Sequence, residues 1–217
     1  MIPVLVLCDD VWHPSEVIER GLRELKETSF KFDFVKDSKD ILSVEMLREY
    51  PIIINCKADN LNSSNEAPWF EAGVTEVGVK ELKEYVNQGG GFLSVHSGNT
   101  YNQERGKEYA DFVGNNFVTH PPRCQIQIKV LQKHPVTEGV EDFVIRDEHY
   151  QLEGIASDAQ ILLESVSETG GTQAAGYVRT IGKGRMCVLT PGHILDVWKN
   201  PNFQKLLINA LHWCWNQ

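Results

Sequence analysis

The residues best placed to do chemistry form a run that opens on a glycine turn and closes on polar side chains: Gly89-Gly90-Gly91-Phe92-Leu93-Ser94-Val95-His96-Ser97-Gly98-Asn99. A glycine turn leading into an apolar strand predicts that His96 leaves the carboxyl edge of a sheet, where open α/β folds bind ligands. The small residues around it permit a strained strand-to-helix elbow, a turn that exposes one side chain. An imidazole there can serve as general base, general acid or metal ligand near neutral pH. His193 follows Pro191-Gly192 directly after an apolar segment, so it too is expected at a strand end, facing His96 across a pocket.

In Asp147-Glu148-His149-Tyr150 an extended backbone sends Glu148 and Tyr150 to one face and Asp147 and His149 to the other. A carboxylate beside a phenol can share a proton or orient a hydroxyl. His120, ahead of Pro121-Pro122, is a weaker candidate of the same kind. His13 and His134 each precede a proline where a turn or helix begins, and both read as structural. Gly182-Lys183-Gly184 lacks the spacing of a phosphate loop, and Arg185 is expected to pair with the acidic body of the protein.

These residues need a scaffold, and its elements are legible. Strand-like runs at Pro3 to Cys8, Phe30 to Val35 and Pro51 to Cys56 alternate with helical patterns at Pro14 to Lys26 and Val44 to Arg48. A further helix, from about Thr75 to Asn87, ends at the glycine turn, and the strand Phe92 to Val95 follows. Such alternation predicts a three-layer α/β/α sandwich with a mainly parallel central sheet, Phe92 to Val95 lying in its interior. Beyond residue 120 the texture shifts to strands near Gln125 to Leu131, Phe143 to Arg146, Gln160 to Ser165, Ala174 to Val178 and Met186 to Leu189, read as antiparallel or mixed additions. Asn200 as N-cap and Pro201 as the first helical residue open a closing helix with Phe203, Leu206, Leu207 and Ala210 on one face. The stretch Lys57 to Gly73 reads as a long loop whose Trp69 and Phe70 pack it onto the body. No repeat or linker divides the chain, so a single domain over 1–217 is expected.

Composition narrows the function classes. A formal charge of -9 repels polyanions, which argues against nucleic acid and anionic membrane and favours a small neutral or cationic ligand. The start, Ile2-Pro3-Val4-Leu5-Val6-Leu7-Cys8-Asp9-Asp10, lacks the basic flank and length of a secretory signal and reads as a core strand. With no apolar run long enough to span a bilayer, a cytoplasmic location is the default. The 5 cysteines, at 8, 56, 124, 187 and 214, include no CxxC pair, so neither a disulfide framework nor a zinc ribbon is expected, and none is expected to be a nucleophile.

The glycine-rich turn, strand and histidine resemble the ThuA-like (trehalose utilisation) proteins of the class I glutamine amidotransferase-like superfamily, in which amidotransferases carry cysteine at the elbow. Further stretches match in order: Phe117 to His120-Pro121, His134-Pro135-Val136-Thr137-Glu138-Gly139, Asp147-Glu148-His149-Tyr150, Gly182-Lys183-Gly184-Arg185, Pro191-Gly192-His193 and the closing helix. The resemblance spans nearly the whole chain. It implies a flavodoxin-like amidotransferase-type fold, a position for His193 like that of the amidotransferase histidine, and a small-molecule carbohydrate as partner. Without the elbow cysteine the chain is not expected to be a glutamine amidotransferase.

Two function classes follow. In the first, His96, Glu148, Tyr150 and His193 are an acid/base set acting on a sugar or keto-sugar as isomerase, lyase or hydratase, or hydrolase. A divalent metal such as zinc is a candidate cofactor that could polarise a ketone, with His96, His120, Glu148 and His193 as candidate ligands; no motif of fixed spacing dictates it. In the second, the domain is a non-catalytic sugar-binding or regulatory module, since fold does not determine function. A homo-oligomer is compatible with either.

Overall fold

The computed structural model describes residues 1–26, 29–36, 38, 41–58, 76–101, 104 and 106–215. Trp69 and Phe70, and most of the expected loop around them, lie outside the described residues. The first half alternates strand and helix: β1 (Ile2–Leu7), α1 (Ser15–Arg23), β2 (Phe30–Val35), α2 (Val44–Glu49), β3 (Ile52–Asn55), α3 (Val79–Asn87) and β4 (Gly91–Val95). After a 3-10 turn at His96–Asn99 come α4 (Lys107–Val113), β5 (Asn116–Thr119), β6 (Cys124–Val130), β7 (Phe143–Asp147) and β8 (Gln151–Glu153). The chain closes with β9 (Gln160–Ser167), β10 (Gly171–Ile181), β11 (Gly184–Leu189), α5 (Leu195–Lys199) and α6 (Pro201–Cys214).

The strands make a 9-stranded sheet in the order β2-β1-β3-β4-β11-β10-β9-β6-β7, while β5 and β8 pair separately. β2, β1, β3, β4 and β11 are mutually parallel, which places β4 in the interior as expected. The remaining pairings, β11 to β10, β10 to β9, β9 to β6 and β6 to β7, are antiparallel. Two consecutive reversals restore the direction, so β9 and β7 run the same way as the parallel block. The carboxyl ends of β1, β3, β4, β11 and β7 therefore share one edge of the sheet.

Both faces are covered because the parallel strands are apolar throughout. Val4 and Val6 of β1 face one core, with Leu93 and Val95 of β4 and Cys187 and Leu189 of β11, beneath α1, α5 and α6. Leu5, Leu7, Phe92, Met186 and Val188 face the other, beneath α2, α3 and α4. This is the period of two that a strand imposes, applied to strands buried on both sides. Burying each such side chain contributes about 1.5–3 kcal/mol.

Helix ends depart slightly from expectation. Pro14 is the N-cap of α1 rather than its first residue. The helix expected from Thr75 begins at Val79, with residue 75 outside the described set. Asn200 caps α6 as its sequence implies, its side-chain oxygen accepting from the amides of Asn202 at 2.9 Å and Phe203 at 3.3 Å. The helices α4 and α5 and the β5–β8 pair are additions to the expected elements. Among the described residues no helix is long and apolar enough to cross a membrane.

Candidate functional site

At the carboxyl end of β4 the chain turns abruptly at His96, whose φ is +46°, a left-handed conformation that non-glycine residues seldom adopt. The turn is tight on both sides. A Cβ at Gly98 would collide with the Asn55 carbonyl, and one at Gly192 (φ +144°) would come within 2.9 Å of the His96 Cβ. Glycine at these positions lets the β4 and β11 loops close around the imidazole. His96 is buried, and its Nδ1 lies 2.8 Å from the Thr190 carbonyl, which can only accept. The proton therefore sits on Nδ1 and the Nε2 lone pair faces the cluster. Tyr150 donates its hydroxyl to that nitrogen at 2.9 Å, with the two rings stacked.

Glu148 occupies the centre. Its Oε2 is 3.4 Å from His96 Nε2, 3.2 Å from His193 Nδ1 and 3.6 Å from His120 Nε2. The expected alternation brings Glu148 and Tyr150 to the same side, whereas His149 turns away to the Ser165 and Ser167 hydroxyls at 2.8 and 2.6 Å. Asp147 ends β7, and its carboxylate accepts from the Gly192 amide at 2.7 Å and the His193 amide at 3.2 Å, clamping the loop that carries His193. His96, Glu148, Tyr150 and His193 thus lie together, with His120 at the rim, 36% exposed and stacked on Tyr150.

One residue read as structural belongs to this cluster. His13 was expected merely to precede a helix, yet its ring lies 4.9 Å from that of His96 and 5.0 Å from that of His193. Its Nδ1 is 2.7 Å from Asp10, whose carboxylate also accepts from the amides of Trp12, His13 and Ala58. A signal was present in the strand order. The chain reverses its direction of winding between β1 and β3, and ligands of open sheets bind outside the carboxyl ends at that crevice. Asp10 and His13 follow β1 there, but proximity to Pro14 suggested a capping role. His134 does act as a cap, accepting from the Val136 amide at 3.1 Å. Arg185 was expected to pair with acidic groups; instead it donates to the Trp213 carbonyl at 3.0 Å and lies over that ring.

Electrostatics separates the roles. Burial acts against the charge on Glu148, but contacts with His193 and His96 outweigh it and hold the carboxyl well below its usual range. Burial works against protonation of His96 as well; the Glu148, Asp147 and Thr190 oxygens overcome it and raise the pKa. For His13 burial prevails and the pKa falls, leaving a neutral ring. Burial pushes the Tyr150 phenol well above its ordinary value, so it remains a proton donor.

The cavity bounded by His13, His96, Gly192 and His193 is small, about 10 Å³, enough for one water or ion and not for a sugar. Glu148 and His193, with side chains 14% and 19% exposed, and the 36% exposed His120 are the more accessible members of the cluster, and of the three only His193 lines that cavity. A larger groove of about 1020 Å³ lies among α2, α3, α4 and β10, lined by none of these residues, and its charged lining, such as Arg48, Lys80 and Glu84, is that of an ordinary solvated surface.

The thiols offer no alternative nucleophile. All 5 cysteines are free. Burial pushes Cys8 and Cys214 up to about 12 and Cys56 and Cys187 well above the ordinary thiol range. Alkylation of the native protein is therefore expected to reach the half-buried Cys124 at most and to leave the site working, as peptide mapping of modified thiols would show. Loss of activity that substrate prevents would place a thiolate in the site instead.

The family model ThuA, described as trehalose utilisation, matches residues 4–214. Among solved structures, a ThuA-like protein from Bacteroides uniformis superposes with a TM-score of 0.76 at 19% identity, covering 98% of this chain and 91% of that one. A ThuA-like protein from Parabacteroides merdae gives 0.75 at 17% identity, with 99% and 90% covered. A glutamine amidotransferase from Thermotoga maritima gives 0.64 at 13% identity, with 100% and 99% covered, so the architecture extends to amidotransferase-like proteins. No curated protein sequence matches the chain.

Proposed function

From the premise that this chain belongs to the ThuA family, we propose that it is an enzyme of carbohydrate metabolism that acts on a sugar or keto-sugar glycoside by proton transfer at the cluster around His96. The observation that carries this reading is the Tyr150 hydroxyl held 2.9 Å from His96 Nε2, with the Glu148 carboxylate 3.4 Å from the same nitrogen. A proton acceptor, a neutral proton donor and a fixed negative charge meet at one atom, at the sheet edge where open α/β folds bind ligands.

The division of labour follows from the charges. A carboxyl held as low as Glu148 is a weak base, so its part is to stabilise the imidazolium that forms when His96 takes a proton. A ring ketone would make the neighbouring C–H acidic enough for an imidazole to remove. The Tyr150 hydroxyl would then donate to the oxygen on which charge develops. From there, returning the proton to the other carbon gives isomerisation, and expelling a glycosidic oxygen gives elimination. The sugar would lie over Glu148, His193 and His120, since the inner cavity is too small for it.

A screen of glycosides, trehalose among them, and of their 3-keto forms, with products followed by NMR, tests the proposal. Turnover that falls about 10²-fold in Tyr150→Phe would support it. Saturable sugar binding with no turnover would replace it with the sugar-binding module.

A further inference from the structure

We infer that the cluster is a binding site for one divalent transition-metal ion, zinc by chemical preference, held by His13 Nε2, His96 Nε2, His193 Nδ1 and a Glu148 oxygen. These donor atoms all lie within 4.8 Å of one another. Donors on a tetrahedral zinc with bonds of about 2.0–2.1 Å stand about 3.3 Å apart. The spacings of 3.2 Å from His193 to Glu148 and 3.4 Å from His96 to Glu148 already have that value. Movements of under about 1 Å per ring bring in the rest.

Two of these nitrogens are buried without partners. His13 is 8% exposed, and its Nε2 is buried with no hydrogen-bond partner. His193 Nδ1 is likewise buried without one, being in ion-pair range of Glu148 but outside hydrogen-bond geometry. Orphaned buried nitrogens are costly, and two converging on one carboxylate call for an occupant that accepts lone pairs. A water could donate to these nitrogens. A cation satisfies them and the carboxylate together.

The surrounding groups are arranged for ligation. Asp10 accepts from His13 Nδ1 at 2.7 Å and the Thr190 carbonyl from His96 Nδ1 at 2.8 Å. An acceptor on the far nitrogen fixes the tautomer and aims the near lone pair inward, as for histidines that bind metals. His120 stands outside the set: its Nδ1 is 3.0 Å from the Pro121 carbonyl, and its Nε2 is 3.6 Å from Glu148 but not grouped with the three histidine donors. Imidazole and carboxylate donors without thiolate suit zinc and, with open positions, manganese or iron.

The ion's catalytic meaning rests on the sugar-processing reading, whereas its binding does not. In the loaded protein His96 Nε2 would be a ligand and would give up the acceptor role it has in the ion-free protein, Tyr150 would remain the proton donor, and a fifth position on the ion would supply polarisation of a substrate oxygen.

Chelator-stripped protein titrated calorimetrically with zinc chloride, and separately with cobalt chloride while visible absorption is recorded, tests binding alone. One ion per chain is expected, with a cobalt spectrum of low-symmetry nitrogen and oxygen ligation. Affinity should fall at least about 10²-fold in His13→Ala and His193→Ala, about 10–100-fold in Asp10→Asn, and little in His120→Ala. Should His13→Ala fail to fold, His13→Asn and the wild-type cobalt spectrum decide. Failure of the wild type to bind zinc, cobalt, manganese or iron(II) stoichiometrically, or undiminished binding in a folded His13 variant, overturns the inference. Binding without turnover of any sugar leaves the ion and removes the sugar reading, whereas stoichiometric binding with full turnover in stripped protein leaves both and removes only the ion's part in catalysis.

Discussion

Asparagine in place of His96 is expected to lower turnover of a sugar substrate by about 10²–10⁴-fold while the fold is retained. Asparagine is chosen because residue 96 has φ +46°, and asparagine tolerates that region better than alanine does. The substitution removes the nitrogen that receives the Tyr150 hydroxyl and meets Glu148, so acceptor and donor are uncoupled together. Circular dichroism and thermal melting should show a native-like protein, since the β4 backbone and its neighbours are untouched. A variant that keeps turnover within a few-fold of wild type would rule His96 out as the proton carrier.

Trp198→Ala is expected to cost about 3–5 kcal/mol of stability. The side chain is fully buried, packs edge-on against Phe203 and lies so close to α1 that a Cβ at Gly21 would come within 2.5 Å of the Trp198 Cβ. Its Nε1 also donates to the Gly192 carbonyl at 2.7 Å, tying α5 to the loop that presents His193. Truncation therefore opens a cavity and frees that loop. For a chain of this length the melting temperature should fall by about 10 °C. Activity measured well below the melt should drop as well, because His193 loses one of its restraints. A fall in stability with activity unaltered would mean that the Asp147 clamp alone positions His193.

Much of this molecule is determined locally, and the sequence discloses it for that reason. The alternation of apolar strands with amphipathic helices from Ile2 to Val95 dictates a sheet buried on both faces, because only that arrangement removes both sides of Val4-Leu5-Val6-Leu7 from water. Asn200-Pro201 starts α6 through groups two and three residues away. Glu148 and Tyr150 share a side because an extended backbone alternates. The glycines before β4 and the small residues after His96 announce an elbow.

What only the tertiary structure decided depends on partners distant in the chain. The placement of β7 beside β6 at the far edge, running with the parallel block, brings Asp147 and Glu148 to the carboxyl ends; it follows from the four antiparallel pairings that lead from β11 through β10, β9 and β6 to β7. The tautomer of His96 is set by Thr190, a residue 94 positions away. His13 shows the difference most sharply. Its sequence neighbours, a proline and a helix start, are those of an ordinary cap, and nothing local distinguishes it from His134. Yet the winding reversal between β1 and β3 carries His13 to His96 and His193 and leaves its outer nitrogen buried without a partner, whereas His134 closes on its own turn. A side chain's partners on its own segment are written in the sequence, whereas those it meets across the sheet edge exist only once the strands have been ordered.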